Sequence, residues 1–435
     1  MFKVLKFNES IKIECVKNME VSIPQMAWFG DSELKLTFPK EWKVNVQLME
    51  GHGKKPITQN EIVYALRNPI KTKPLNKLAE GRKEAVIIFD DITRPTKAYE
   101  IVPQVLEELR SAGIKDDHIR FVCANGSHGT FNREDFSKKL GEAIVEEYPV
   151  FNHNPYGNNV FLGQTKYGTP VEVNAEVMAC DLKIAIGCIV PHPYFGYGGG
   201  AKIILPGVAS MRSINYNHGD LCGYSPAQRF RAAHPSCEMA YGRVNEENIL
   251  RLDCEEAARM AGLDFIINVL VDLKRNSTEI FAGDAIEAQR EGVKIADRHY
   301  RTKIVPEADI VVSNAYSKAS EAAISSWPVL TLKEKGDIVL IVNAPHGQVT
   351  HYAHGRWGTK LFGDLYLSPP EILQRAGRII LLSNYHEKQP WLEIAPPEKT
   401  VKVKSWEEVM EELKNKYGKR ATVAVYPDAT IQKPF

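Results

Sequence analysis

The sequence lacks a surplus of charge of either sign, since 55 Lys and Arg residues stand against 54 Asp and Glu residues in a chain of 435. Without a basic surplus we expect no nucleic-acid partner, and without an acidic one we expect no disordered acidic tail. The sequence also lacks an apolar run near the roughly 20 residues that cross a membrane. Its charged start, MFKVLKFNES, does not resemble a signal peptide. These absences predict a cytoplasmic globular protein with no membrane partner.

Paired cysteines and the His-Glu-x-x-His zinc motif are missing too. The seven cysteines are scattered and form no Cys-x-x-Cys pair, so reduced thiols are the simplest interpretation. Catalytic zinc sites need three protein ligands at suitable spacing, and no His-Glu-x-x-His motif occurs. The sequence therefore predicts neither a disulfide scaffold nor a zinc hydrolase of the usual kind.

Length and periodicity indicate two domains. A chain of 435 residues exceeds what one hydrophobic core usually serves. Two stretches of alternating strands and helices follow one another, which is typical of mainly parallel sheets with helices on their faces. We predict two α/β domains, residues 1–290 and residues 291–435, with the active site in the cleft between them. Whether the C-terminal tail returns to the first domain stays open at this point.

Short apolar runs predict the strands of both halves. In the first half they lie at Ala85–Phe89, Ile119–Ala124 and Leu182–Val190. In the second half they lie at Ile310–Ser313, Ile338–Val342, Ile379–Leu382 and Thr422–Val425. Helical segments of the second half are predicted at Leu330–Lys335, Pro370–Ala376 and Trp406–Tyr417. Because ligands in open α/β sheets bind beyond the carboxyl ends of the strands, the residues that follow each strand are the candidates for chemistry.

The turns after the first two strands collect polar groups. Asp91, Thr93 and Arg94 offer a carboxylate, a hydroxyl and a guanidinium. A guanidinium suits two-point binding of a carboxylate or phosphate, although a solvated turn with a local ion pair is the alternative. After the second strand, His128 stands in the glycine-containing loop Asn125–Gly129. It is well placed for proton transfer, whereas a single loop histidine is more often structural.

The stretch after the third strand is the most informative. Prolines on both sides restrict the backbone at His192, and Gly198, Gly199 and Gly200 then lead to Lys202. Consecutive glycines let a ligand approach the backbone and expose N–H groups, as phosphate-binding loops do. The run fits neither the dinucleotide-binding fingerprint nor a Walker loop. A flexible glycine turn without a ligand is the alternative.

Two further loops carry histidines. His218 follows in Asn215–Gly219 without a neighbouring ligand set, so a metal there would need its other ligands from a bound molecule. A glycine-rich loop in the second domain indicates a lid over a polar substrate or, alternatively, a solvated loop. Its polar and aromatic residues are His346, His351, His354, Arg356 and Trp357.

Together these segments resemble the nickel-dependent lactate racemase family, whose members racemise or epimerise 2-hydroxy acids with a nickel-pincer nucleotide. Each motif alone is weak, but order and spacing agree across roughly Leu66 to His218, with a looser agreement to the C-terminus. The segments that carry the resemblance are Asp91–Pro95, Gly126–His128, Pro191–His192, Gly198–Lys202, Pro206–Gly207 and Asn217–His218.

The resemblance implies a role for each candidate. Lys202 would be joined covalently to the cofactor, pyridinium-3-thioamide-5-thiocarboxylic acid mononucleotide, and His218 would bind its nickel. His128 and His192 would act as general bases on opposite faces of the substrate while a hydride passes between C2 and the cofactor. A small 2-hydroxy acid and cofactor-synthesis proteins would be the partners. Further cofactor contacts would come from Asp91, Thr93, Arg94, Gly198, Gly199 and Gly200.

The sequence departs from the lactate-acting members after the first strand of the second domain. The family's Gly-Tyr-Pro turn is replaced within Asn314–Ala322, and Trp327 falls roughly where the family has a lysine. Lys318 is a candidate replacement from a different place. The polar side chains of this segment and of the lid loop favour a polyhydroxy acid, such as gluconate, over lactate. The predicted substrate contacts are Arg94, Tyr316, Lys318, His346, Arg356 and Trp357.

Two other functions stay open. A nicotinamide-dependent dehydrogenase or a metal hydrolase is disfavoured because the dinucleotide fingerprint and multi-ligand metal motifs are missing. A non-catalytic protein that binds or stores the cofactor is disfavoured by the pair His128 and His192, since binding alone requires no paired bases.

Overall fold

Two six-stranded sheets organise the chain. The structure, a computed structural model, describes residues 18–222, 241–243, 247–352, 371–387 and 396–435. Within these ranges the large sheets are accompanied by four two-stranded ribbons. Both large sheets are mainly parallel and carry helices on their faces, as alternating strands and helices predict.

Strands and helices alternate over most of the described chain. The strands are β1 (Asn18–Gln25), β2 (Ser32–Pro39), β3 (Lys43–Val46), β4 (Ala85–Asp90), β5 (Ile119–Ala124), β6 (Val150–Asn152), β7 (Asn159–Gln164), β8 (Pro170–Asn174), β9 (Leu182–Cys188), β10 (Pro191–His192), β11 (Gly196–Tyr197), β12 (Phe265–Val271), β13 (Ser277–Gly283), β14 (Arg301–Thr302), β15 (Ala308–Asn314), β16 (Leu332–Ile341), β17 (Arg378–Leu382), β18 (Thr400–Val403), β19 (Thr422–Tyr426) and β20 (Lys433–Pro434). The α-helices are α1 (Gln59–Arg67), α2 (Leu75–Ala79), α3 (Val102–Ser111), α4 (Arg133–Leu140), α5 (Glu142–Glu147), α6 (Ala175–Ala179), α7 (Met211–Ile214), α8 (Ile249–Ala261), α9 (Glu287–His299) and α10 (Trp406–Tyr417). Short 3₁₀ segments lie at Ala98–Glu100, Asp116–His118, Gly200–Ile203, Ala319–Thr331, Glu371–Arg375 and Pro397–Lys399, and a π-helical turn spans Asn215–Leu221.

The first large sheet is parallel except at one edge. Its order is β13–β12–β9–β4–β5–β6, and β13 runs antiparallel to β12. Because side chains alternate along a strand, the fully buried β4 contributes to two apolar layers. Ile87 and Phe89 pack in the layer that contains α3, whereas Val86 and Ile88 pack in the layer that contains α8. Both faces of the first sheet are thus covered by helices. A site can therefore form only at the ends of its strands.

The second large sheet has a strand from the beginning of the chain. Its order is β18–β17–β16–β15–β19–β3, with every neighbouring pair parallel. The β1–β2 hairpin packs on the same core, where the ring of Phe38 lies 5.2 Å from that of Trp406. Residues 18–46 therefore belong with the second sheet, whereas the sequence analysis grouped them with residues 1–290. Burial of the apolar side chains of the hairpin, such as Ile23 and Phe38, accounts for this difference.

The end of the chain contacts the first sheet. After β19 in the second sheet, Ile431 packs in the core of the first sheet. β20 then pairs with β14, next to the helix that ends the first α/β unit. The tail therefore packs against the core of the first sheet.

Most predicted elements agree with the structure, and one does not. The predicted strand Ile119–Ala124 and helix Trp406–Tyr417 are confirmed to the residue. The helix predicted for Leu330–Lys335 is wrong, because the 3₁₀ segment ends at Thr331 and β16 begins at Leu332. Leu332 pairs with Ala308 of β15, so sheet pairing overrides the local helical spacing. No helix in the described ranges combines the length and hydropathy needed to cross a bilayer.

Arg275 ties the N-terminal hairpin to both sheets. It follows β12, and its side chain is 1% exposed. Its Nη2 donates to both carboxylate oxygens of Asp31, at 2.7 and 2.6 Å, and its Nε donates to Tyr316 Oη at 3.2 Å. Its guanidinium lies 4.2 Å from the centroid of the Trp28 ring. A buried guanidinium stabilises only while its partners stay in place, so this cluster couples the two sheets.

Replacing Arg275 with Leu should lower the free energy of unfolding by about 1–3 kcal/mol, because buried Tyr316 loses a hydrogen-bond donor. Urea titration measures this loss. Arg298→Leu is the matched control, since the Arg298 side chain is 82% exposed and its pair with Glu50 is screened by water. Equal losses in the two variants would contradict the role given to Arg275.

Candidate active site

The ends of three neighbouring strands bring the predicted residues together. β9, β4 and β5 lie side by side and parallel, so the loops after them leave the same edge of the sheet. Asp91 and Arg94 follow the central strand, β4, while His128 follows β5 and His192 lies beyond β9. The strand order therefore places the two histidines on either side of the Asp91–Arg94 turn.

Asp91 orients His128. The Nδ1–H of His128 donates to Asp91 Oδ2 at 2.7 Å, and both residues are buried. Asp91 Oδ1 accepts from the backbone N–H of Thr93 at 2.7 Å and from its hydroxyl at 2.5 Å. Burial alone would raise the pKa of Asp91, but His128 and Arg94 bring that pKa below its ordinary value. The ionised carboxylate keeps the proton on Nδ1, which leaves Nε2 as the basic nitrogen.

A partly buried ion cluster brings residues between β15 and β16 of the second sheet into the site. Arg94 Nη1 donates to Thr93 Oγ1 at 2.6 Å and pairs with Glu321 Oε2. Lys318 Nζ lies 3.0 Å from the same Oε2 atom, and Glu321 Oε1 lies 3.6 Å from His128 Nε2. Burial opposes ionisation of Glu321, but Arg94 and Lys318 hold its pKa well below the ordinary value. The cluster thus joins the two sheets through charged groups beside His128.

Trp327 does not take part in this site. Its indole N–H donates to the backbone oxygen of Ala429 at 2.7 Å, and its ring packs 5.1 Å from that of Tyr426. Lys318, nine residues earlier in the chain, instead contributes the cation beside Glu321. The replacement of the family lysine by Lys318 stays a prediction.

Three predicted cofactor and catalytic residues converge on the ring of Phe195. Lys202 Nζ lies 3.6 Å from the ring centroid and 3.0 Å from His192 Nε2. The rings of His192 and His218 lie 5.2 and 5.1 Å from that of Phe195. Backbone N–H groups of Tyr194 and Phe195 donate to His192 Nδ1 at 3.2 and 3.3 Å, so the Nε2 edge faces Lys202. Local folding after β9 therefore gathers an amine and two imidazoles.

The surroundings of this loop favour uncharged bases. Burial lowers the pKa of Lys202 well below its ordinary value, and the guanidinium of Arg251 adds to the effect. Burial also lowers the pKa of His192, and the cations Lys202 and Lys318 are further causes. The lowered pKa of Lys202 favours the nucleophilic form of its amine, and His192 is uncharged at neutral pH and able to accept a proton.

The three consecutive glycines make their described hydrogen bonds within the protein. The N–H of Gly200 donates to Asn268 Oδ1 at 2.7 Å, while the oxygens of Gly199 and Gly198 accept from Arg251 at 3.0 Å and from Gln289 at 3.1 Å. A Cβ on Gly199, whose φ is +74°, would come within 2.7 Å of Asn268 Oδ1. The glycines thus let the loop pack tightly, and their contact with a phosphate stays a prediction.

Tyr316 and His346 lie away from the ion cluster. Tyr316 Oη donates to Asp31 at 2.7 Å, and His346 packs edge-on against Phe29 with ring centroids 4.6 Å apart. Both line a cavity of about 270 Å³ that also touches Thr93 and Gly129, the neighbours of Arg94 and His128. His354, Arg356 and Trp357 lie outside the described residues.

A second-domain loop pairs with the loop that carries His128. The N–H of Gly129 donates to the oxygen of Thr350 at 2.8 Å, and the N–H of Tyr352 donates to the oxygen of Ser127 at 2.6 Å. The ring of His351 lies 5.0 Å from that of His128. The predicted lid segment therefore contacts the candidate site through its described part, up to Tyr352.

The sequence analysis missed the organising roles of Phe195 and Glu321. Phe195 stands three residues after His192, but nothing in the spacing shows that Lys202 and His218 meet its ring. Glu321 was noticed only as one polar residue among several, and its contact with Arg94 spans 227 positions. An acidic residue three positions after Lys318, on a segment rich in small residues, was the available signal.

Sequence comparison identifies relatives of the chain. Residues 29–229 match the family described as the lactate racemase N-terminal domain. The lactate racemase of Thermoanaerobacterium thermosaccharolyticum is 32% identical over 290 residues, which are 66% of this chain and 65% of that protein. The lactate racemase of Lactiplantibacillus plantarum is 31% identical over 301 residues, 66% of this chain and 67% of that protein. The alignments thus span about two thirds of each relative.

Structural comparison supports the same relationship at the level of the fold. The lactate racemase apoprotein from T. thermosaccharolyticum matches with a TM-score of 0.70 at 24% identity, over 96% of this chain and 100% of that one. A Thermotoga maritima protein matches with a TM-score of 0.61 at 16% identity, over 88% of this chain and 100% of that one. With the fold and the sequence relatives in agreement, the chain belongs to the lactate racemase family, a family of isomerases.

Proposed function

We propose that this protein is a racemase or epimerase that inverts C2 of a small 2-hydroxy acid. The observation that carries the proposal is that His128 and His192 follow β5 and β9, the two strands that flank β4 and its Asp91–Arg94 turn, with the Lys202 amine 3.0 Å from His192 Nε2. Inversion requires an acid or base on each face of the carbon, which one histidine cannot supply. Neither a dehydrogenase nor a cofactor store requires such a pair.

In the proposed reaction the protein binds the acid and moves its hydroxyl proton. His128 Nε2, which is free to accept while Nδ1–H donates to Asp91, takes the proton of the C2 hydroxyl on one face. His192 serves the opposite face, where its low pKa keeps it uncharged. Arg94 and Lys318 offer positive charge to the substrate carboxylate. Loss of this proton and of the C2 hydride, whose acceptor would be the bound cofactor, gives a 2-keto acid that is planar at C2, so a hydride returned to its other face inverts the configuration.

The loop after β9 fits a nickel-pincer nucleotide. Lys202 would form the covalent link, because burial lowers the pKa of its amine and so favours the nucleophilic, uncharged form. His218 would be the protein ligand of nickel. No cluster of three or more His, Cys, Asp or Glu side chains among the described residues could hold a metal, so the donor set suits a metal whose other ligands come with the nucleotide. When bound, this group supplies a reversible acceptor for the C2 hydride.

Loading of this cofactor would make cofactor-synthesis proteins transient partners. The cytoplasm is the proposed location for this step. The five cysteines that the structure describes support this choice because they are buried free thiols, as expected in a reducing compartment. They are Cys123, Cys180, Cys188, Cys222 and Cys254.

The proposed substrate is a polyhydroxy acid, with gluconate-like acids first. The cavity beside Thr93 and Gly129 has a volume of about 270 Å³, close to the lower limit of roughly 300 Å³ for small-molecule sites. Its walls combine apolar and aromatic side chains with hydroxyl, amide and carboxyl groups, and these polar groups favour a ligand with several hydroxyls over one with a methyl group. Among the polar lining residues are Thr130, Asn132, Asp135, Ser320 and Asn343.

Two alanine variants should separate the covalent link from the metal site. Protein co-expressed with cofactor-synthesis proteins should be heavier than its sequence predicts. Lys202→Ala should lose both the added mass and nickel, whereas His218→Ala should lose nickel and keep the organic mass. Intact-mass spectrometry and metal analysis provide the two measurements. A fully active protein at its sequence mass would contradict the assignment of Lys202.

His128→Gln and His192→Gln should each reduce turnover by about 10²–10⁴, the usual loss for an acid or base. In single turnovers each variant should oxidise one enantiomer to the keto acid and leave the other untouched, since each histidine serves one face. His118→Gln is the control, because His118 is partly exposed and pairs with Glu84. Solvent deuterium at C2 of the product would instead indicate a carbanion mechanism.

A panel of acids should show the substrate class. Four- to six-carbon aldonates should be epimerised at C2 more efficiently than lactate by about 10⁴, because several buried polar contacts are lost with lactate. The ratios of kcat/KM give the answer, and 2-hydroxyhexanoate controls for chain length without added hydroxyls. Equal efficiency on lactate and the aldonates would show that the cavity does not receive the substrate.

A further inference from the structure

We infer that Glu321 is a specificity-determining residue that accepts a hydrogen bond from the hydroxyl group on C3 of the substrate. This inference rests on the proposed function and names the substrates as 2,3-dihydroxy acids. It assigns to one side chain the discrimination between a hydroxylated carbon and the methyl group of lactate.

The two carboxylate oxygens of Glu321 have different surroundings. Oε2 is shared by Arg94 Nη1 and by Lys318 Nζ, the latter at 3.0 Å. Oε1 lies 3.6 Å from His128 Nε2, which is longer than a normal hydrogen bond. Oε1 is therefore the oxygen that remains to accept a hydrogen bond from a ligand bound beside His128.

The distance between Glu321 and His128 suits neighbouring hydroxyl groups. A C2 hydroxyl that donates its proton to His128 Nε2 must lie about 2.6–3.2 Å from that nitrogen. Glu321 Oε1 is 3.6 Å from the same nitrogen. It can therefore reach a group attached to C3, the carbon next to C2. A hydroxyl on C3 can donate to it, whereas the methyl group of lactate cannot.

The charge of Glu321 strengthens this selection. Arg94 and Lys318 keep the carboxylate ionised, and an ionised carboxylate only accepts hydrogen bonds. Hydrogen bonds to a charged acceptor are roughly twice as strong as neutral ones. Glu321 also neutralises positive charge on Arg94. A monocarboxylate without further hydroxyl groups therefore gains less binding free energy from Arg94 and Lys318.

The segment around Glu321 is held in place before any ligand arrives. The N–H of Glu321 donates to Lys318 O at 2.9 Å. Gln348 binds both sides of the residue, because its Oε1 accepts from the N–H of Ala322 at 3.0 Å and its Nε2 donates to Ala319 O at 2.8 Å. A carboxylate positioned in advance discriminates better than a mobile one.

Glycerate and lactate form the matched pair for the test, since they differ only in the C3 hydroxyl. The two acids are mixed with the cofactor-loaded enzyme, and the ratio of their kcat/KM values is obtained from the racemisation of each. This internal ratio does not depend on the fraction of folded enzyme. Wild type should prefer glycerate by about 10–100-fold, the range for one buried hydrogen bond to a charged group.

Glu321→Gln should lower this preference about tenfold. The KM for glycerate should rise because its C3 hydroxyl loses a charged acceptor, and the KM for lactate should fall because Arg94 and Lys318 are no longer neutralised by Glu321. Glu334→Gln, at an exposed position, is the control and should keep the wild-type ratio. The charge-balanced double variant Lys318→Met/Glu321→Gln provides a second test if the single variant folds poorly, and it should also lose the preference.

A wild-type enzyme that racemises both acids equally, or a Glu321→Gln enzyme with an unchanged ratio, would overturn the role of Glu321 and leave the proposed function intact. A wild-type enzyme that carries the cofactor and racemises none of the 2-hydroxy acids would overturn the proposed function, and the role of Glu321 with it.

Discussion

The ion pair between Arg94 and Glu321 is the contact on which the site depends, because it joins the two sheets where the strand ends meet. Arg94 is held from the first sheet by Thr93 and by the turn after β4, whose backbone oxygens at Asp91 and Arg94 accept from buried Lys139, both at 3.0 Å. Glu321 is held from the second sheet. A buried charge without its partner is costly, so the pair constrains the relative position of the two sheets around the substrate.

The two histidines work in opposite electrostatic surroundings. His128 donates to Asp91 and lies near Glu321, so carboxylates surround it. His192 lies near Lys202, Lys318 and Arg94, which disfavour its charged form. In the proposed reaction one histidine accepts a proton on one face of C2, and the other histidine donates a proton on the opposite face. The protein therefore offers two bases in different electrostatic surroundings for the two faces of one carbon. Phe195 supplies the apolar ring that Lys202, His192 and His218 all contact.

Local patterns predicted the part of the site that depends on strand ends. The apolar runs at β4, β5 and β9 were sufficient to place Asp91, His128 and His192 at one edge, because parallel neighbours expose their carboxyl ends together. The contact of Glu321 with Arg94 could not be predicted in this way, since it joins residues 227 positions apart through two separate folding units.

The prediction failed where sheet pairing outweighs local preference. Leu332 is a strand residue because Ala308 lies beside it, not because of its own neighbours in sequence. Strand β3 was missed for a similar reason, as four residues with partly exposed side chains carry little periodic signal. The sequence does not show which strand pairs with which when the two strands are far apart along the chain.

The pairing of β3 with β19 has a consequence for how the chain acquires its structure during synthesis. Lys43 of β3 lies opposite Thr422 of β19. Strand β3 is synthesised before the first sheet, but it can pair only after β19 has been synthesised. The first sheet, by contrast, draws its strands from β4 to β13 and can assemble while translation continues, since domains generally fold as units in the order of their synthesis. The β1–β2 hairpin and β3 emerge early with apolar side chains that are buried only when the second sheet closes. These segments are therefore where a ribosome-bound chaperone would be most needed, and where an interrupted chain would be most prone to aggregate.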